Sequence, residues 1–95
     1  MNLSDVATIR TDFPDADFWL VRRGTLDRCG EPQHEFNPEH IGVKVERTDL
    51  LLTTFLFYLM MHVHQQGFWK ARATGTTNLV NIQTADVRGI ELSAE

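Results

Sequence analysis

From Leu50 to Trp69 the chain runs for twenty positions without a formal charge, and whatever it folds into must cover that stretch. Length alone would allow a membrane span. The continuous apolar part, however, reaches only from Leu50 to Met61, contains Thr53 and Thr54, and is followed by His62, His64, Gln65, Gln66 and Gly67. Thr54, Tyr58, His62 and Gln65 recur at helical spacing and form one polar stripe, opposite Leu52, Phe55, Leu56, Leu59 and Val63. The stretch is therefore expected to be an amphipathic helix with a wide apolar face, packed on a core or a second subunit, and no membrane partner is expected.

The remaining segments supply a sheet for that helix. Asn2 to Arg10 is expected to hold a short helix or turn with Ser4 as its N-cap. Thr11 to Asp15 is a turn around Pro14, and Asp17 to Arg23 has the aromatic and β-branched content of a strand closed by Gly24. Thr25 to Glu39 is polar and irregular, with room for a short hairpin. His40 to Val45 alternates as a strand with Ile41, Val43 and Val45 inward. After the long helix, Gly67 is expected to break the chain before a short helix over Phe68 to Ala73, which Thr74 and Gly75 end. Asn78 to Gln83 alternates as a half-buried strand, Thr84 caps a helical turn, and Ile90 to Leu92 makes a last edge strand. The expectation is one α+β domain over residues 1–95, with a small mixed, mostly antiparallel sheet packed on one long helix plus short helices.

Ninety-five residues bury roughly 60–65% of the unfolded surface, enough for one core. The lone Cys29 has no internal disulfide partner, and no export signal is visible, so a cytoplasmic setting is expected. A net charge of −4 weighs against a strongly electrostatic nucleic-acid binder, although Arg22 with Arg23, Lys44 with Arg47 and Lys70 with Arg72 form local basic pairs. Cys29, His34, His40, His62 and His64 match no structural zinc spacing, and His62 and His64 would point about 200° apart on a helix. No phosphate loop, nucleophile elbow or carboxylate pair is present, so neither an enzyme nor a cofactor is expected.

The order of elements resembles the target recognition domain of the specificity subunit of type I restriction-modification enzymes. The matching residues are Leu3-Ser4-Asp5-Val6-Ala7-Thr8-Ile9, the helix Leu51 to Met60, Ala73-Thr74-Gly75-Thr76-Thr77-Asn78, Val80-Asn81-Ile82 and Ala85-Asp86-Val87-Arg88-Gly89-Ile90. That family repeats a Leu-Tyr-Tyr-Leu helix, a Thr-Gly-Ser/Thr turn, an Asn-Leu strand and a Leu-x-x-Ile/Leu closing element. The resemblance implies a stand-alone, abbreviated DNA-sequence reader without catalysis of its own, whose partners are double-stranded DNA and a DNA methyltransferase subunit. The chain departs from the family in having one domain, no spacer helix and no proline-rich exit after its closing strand.

Seven residues are candidates for DNA contact. Arg22 and Arg23 can clamp phosphate or read guanine, or pair with Asp15, Asp17 or Asp27. Lys70 and Arg72 beside Phe68 and Trp69 are a combination that stacks on nucleotides, unless both rings belong to the core. Thr76, Thr77 and Asn78 offer hydroxyls and an amide after Gly75, which serves either close approach to a partner or a helix C-cap. Two functions follow: a DNA-recognition module acting as a homodimer, or a protein-interaction module that mimics or engages restriction machinery without binding DNA.

Overall fold

The computed structural model describes residues 1–76 and 79–92, Thr76 through its backbone only. A 3₁₀ turn at Leu3–Asp5 opens the chain, capped from Asn2 rather than Ser4. Strand β1 (Ala7–Thr11) follows, so of the stretch Asn2 to Arg10, read as a short helix or turn, the part from Ala7 onward is extended. Ile9 shows why: buried Ala7 and Ile9 alternate with exposed Thr8 and Arg10, a period of two that the short apolar run disguises.

The strand expected over Asp17–Arg23 is two strands in two sheets. Strand β2 is Phe18–Leu20 and β3 is Arg23–Gly24. Between them Val21 still bonds to the first sheet, its N–H donating to Glu31 O and its carbonyl accepting from Gly30 N. The next carbonyl, that of Arg22, already belongs to the second sheet and accepts from Ile82 N at 2.9 Å. Strands β4 (Pro32–Gln33) and β5 (Ile41–Val45) complete the first sheet, ordered β1-β5-β2-β4. Strands β6 (Thr74–Thr76) and β7 (Leu79–Asn81) complete the second, ordered β3-β7-β6. All ladders among the described residues are antiparallel. The α+β class holds, with two sheets where one was expected. Ile90 to Leu92 contributes only an isolated bridge between Asn2 and Glu91.

Helix α1 (Thr53–Gln65) stops where Gly67 adopts φ 82, and α2 (Phe68–Arg72) then turns back along it. No helix among the described residues is long and apolar enough to cross a membrane. The polar stripe of Thr54, Tyr58, His62 and Gln65 is exposed as expected. The buried face is Leu56, Phe57 and Met60, roughly a quarter turn from the expected apolar stripe at 100° per residue. Phe57 accounts for the rotation, since it meets Phe18 edge-on at 5.6 Å and stacks on His34 at 4.0 Å. Phe55 and Leu52 are carried outward by the same rotation.

The core joins both sheets to both helices, with Leu3, Phe18, Leu20, Ile41, Val43, Leu56, Met60, Trp69, Ile82 and Val87 among its most buried members. Helix α3 (Thr84–Arg88) closes it, and Arg88 Nη2 ties α3 to β1 by donating to Ile9 O at 2.8 Å.

Candidate nucleic-acid interface

Because the chain crosses from one sheet to the other at Arg22, the two sheets leave a groove at their seam. Its volume is about 410 Å³, and its lining is Thr11 from the end of β1, Arg22 and Arg23 from the crossover, and Asn81, Ile82, Gln83 and Thr84 from the end of β7 onward. Among the described residues no carboxylate lines it. Among the described residues Arg22 spends only its Nε, which donates to Glu39 O at 2.8 Å. Neither arginine forms an ion pair among the described residues, although the chain holds thirteen carboxylates. The nearby Asp86 carboxylate instead accepts from Gln83 N at 3.3 Å, and Asp17 accepts from Val45 N at 2.8 Å. Two arginines lining one groove with amide and hydroxyl residues suit an oxyanion, above all a phosphate, which arginine binds in a forked, charge-assisted geometry.

Register carries the groove onto the open face of the second sheet. Arg23 pairs with Asn81, and Asn81 pairs with Thr74, so the three side chains form one row across β3, β7 and β6. Val80 between them is buried at 4%, which turns Leu79 and Asn81 to the opposite, outward side.

The other sequence candidates lie elsewhere. Lys70 and Arg72 sit on α2 and do not line the groove. Lys70 pairs with Asp27 at 3.2 Å, while the Arg72 guanidinium lies 3.7 Å over the Phe68 ring and donates to Phe68 O. Trp69 is wholly buried, and the half-buried Phe68 ring already carries the Arg72 guanidinium on one face. The Thr76 side chain, Thr77 and Asn78 fall outside the described residues. Gly75 has a structural role that neither expected reading anticipated. It is not the C-cap of α2, which is Ala73, but the middle of β6. Asn81, Gln83, Thr84 and Thr11 were absent from the sequence candidates, although the alternation of Leu79, Asn81 and Gln83 against Val80 and Ile82 marks the outward face.

His40 stands beside this seam, next to Glu39. Its Nδ1 is buried without a hydrogen-bond partner among the described residues. Burial pushes its pKa below the ordinary 6.5, Glu39 acts in the opposite direction, and Arg28 and Arg22 add to the lowering. The sign follows from which state binds the proton first. Above pH 6.5 both folded and unfolded chains carry a neutral ring; below it the unfolded chain protonates first, so stability falls with pH until the folded ring also titrates. Urea midpoints between pH 7.5 and 5.5 are expected to fall less in His40→Gln than in the unsubstituted chain, and equal falls would count against this account.

Cys29 is chemically quiet. Its thiol is buried, donates weakly to Val80 O at 3.3 Å, and has its pKa raised by desolvation against a lowering by the Gly24 backbone. Among the described residues no three metal-ligating side chains gather. A second surface feature is apolar: on α1, Leu52, Phe55 and Tyr58 are 69%, 59% and 65% exposed. Comparison with known proteins returns no matching family model, no matching curated protein and no matching solved structure.

Proposed function

We propose that the chain is a non-catalytic DNA-recognition module that holds the duplex backbone through Arg22 and Arg23. Support comes from the seam groove, which two arginines without an ion-pair partner among the described residues line together with Thr11, Asn81, Ile82, Gln83 and Thr84. Phosphate contact supplies most non-specific affinity, and a locally basic groove can supply it even on a body of net charge −4. Fluorescence anisotropy of a labelled random duplex in low salt tests the reading. Binding is expected, with Arg22→Ala/Arg23→Ala reducing the slope of log K against log salt by about 2, roughly 0.9 for each phosphate the variant leaves unneutralised. Lys70→Ala, which removes a charge already paired with Asp27, is expected to change the slope by less. No binding by the unsubstituted chain at about 50 mM salt or below, where counterion release favours phosphate binding most, sinks the proposal.

A second reading, self-association through α1, is favoured by the exposed Leu52, Phe55 and Tyr58. The occupant we assign is a second copy of this chain. A two-fold interface sets a face against itself, so a charged face repels its own copy. This one has no formal charge from Leu50 to Trp69. Sedimentation velocity is expected to show a dimer that Phe55→Glu/Tyr58→Glu converts to monomer; a monomeric unsubstituted chain at high micromolar concentration rules it out.

A further inference from the structure

The arginine groove accounts for a backbone contact, but not for the row of side chains that leads out of it. Asn81 occupies the central strand of the second sheet, flanked in register by Arg23 and Thr74. It is half-buried at the groove wall, and its carboxamide makes no hydrogen bond among the described residues. Leu79, two residues earlier on the same face, is 47% exposed, an apolar side chain with no packing reason to be there. Residues i and i+2 of a strand lie about 6.7 Å apart, close to two base-pair steps of duplex. At Leu79 the second sheet is only two strands wide, because β3 pairs with Val80 and Asn81 alone, and a two-stranded ribbon fits the major groove.

We infer that, on a duplex held as proposed above, the outward face of β7 reads A·T pairs in the major groove, with Asn81 on an adenine and Leu79 on a thymine methyl about two steps away. This inference rests on the DNA-recognition reading. The chemistry is selective. Adenine presents an N7 acceptor beside an N6 amino donor, and the Asn81 carboxamide matches both, Nδ2 donating to N7 and Oδ1 accepting from N6. Guanine offers two acceptors and leaves Oδ1 facing O6. Among the major-groove edges thymine alone adds an exposed C5 methyl, for which Leu79 is an apolar counterpart. Arg23, one strand away at about 4.8 Å, is placed to hold the flanking phosphate and fix the register of the reading residues.

Selection from a random duplex library tests this, using the full chain and the variants Asn81→Ala, Asn81→Asp, Leu79→Ala and Arg23→Ala. The unsubstituted chain is expected to enrich an A·T pair roughly 5- to 150-fold over G·C at one position, the range of a good bidentate contact. Asn81→Ala should flatten that preference, since base contacts specify and phosphate contacts position. Asn81→Asp, nearly isosteric, should move the preference toward cytosine, whose N4 amino group only donates; loss of folding cannot mimic that change. Leu79→Ala should abolish discrimination between thymine and deoxyuridine, which lacks the methyl. Arg23→Ala should weaken all duplexes alike. Retention of the A·T preference by Asn81→Ala, or the absence of any preference in the unsubstituted chain, overturns the inference and leaves DNA binding standing. Failure of the unsubstituted chain to bind any duplex overturns both.

Discussion

Gly30→Ala is expected to unfold most of the protein at 25 °C or to lower its stability by roughly 3–5 kcal/mol, the loss usual when a buried tryptophan is displaced. A Cβ at Gly30 would lie 1.8 Å from Trp69 Cδ1 and 2.2 Å from Cγ, with the backbone at φ +86, where an L side chain is itself disfavoured. Trp69 has nowhere to go. It is 0% exposed and sits at the centre of the packing among α2, the 25–31 loop and the two sheets, edge-on to Phe68 at 4.8 Å. Its indole Nε1 has no hydrogen-bond partner among the described residues, so shape and burial hold the ring. A domain of this length has only about 5–14 kcal/mol in total. Urea denaturation followed by circular dichroism measures the loss. A double-mutant cycle identifies its cause, because Gly30→Ala made in a Trp69→Leu background should cost far less than in the unsubstituted chain. Equal costs in the two backgrounds would place the clash elsewhere.

Gly75→Ala is expected to cost about 2–3 kcal/mol, from left-handed strain together with broken ladder hydrogen bonds, and to weaken the proposed DNA binding with it. Here the obstacle is backbone. The added Cβ would meet Leu79 O at 2.4 Å and Val80 Cα at 3.1 Å, and the residue already sits at φ +130. Side chains could rotate away, but a neighbouring strand can only separate. Opening β6 from β7 removes Thr74 from the row formed with Asn81 and Arg23 and loosens one wall of the seam groove. Amide hydrogen exchange should show faster exchange at Leu79 to Asn81 while Phe18 to Leu20 and Ile41 to Val45 keep their protection. Unchanged protection across β7 would contradict this role for Gly75.

These two glycines show how unevenly local pattern reports on structure. Gly75 was visible as a special residue between a helix and a strand, yet the expected reasons for it were close approach to a partner or a helix C-cap. The actual reason, a neighbouring backbone, depends on which strand pairs with which. Gly30 looked like one of several turn residues in a polar loop, and nothing near it in the chain indicates that an indole 39 positions later lies against it.

The same division runs through the fold and the site. The long helix, its break at Gly67, the inward Ile41, Val43 and Val45, and the alternation of Leu79, Asn81 and Gln83 against Val80 and Ile82 were all legible from residue order, because periodicities of 3.6 and 2 are properties of the chain itself. Three things were decided only by tertiary packing. Phe57, drawn between Phe18 and His34, rotated α1 and left Phe55 and Leu52 outside. The bonds of Val21 to one sheet and Arg22 to the other cut an apparently continuous strand in two. That cut set Arg22 and Arg23 against Thr11, Asn81, Gln83 and Thr84, while Lys70 and Arg72 went to Asp27 and Phe68. Charge and residue type can be counted along a sequence, but which basic groups share a groove depends on where strands separated by some sixty residues come to pair.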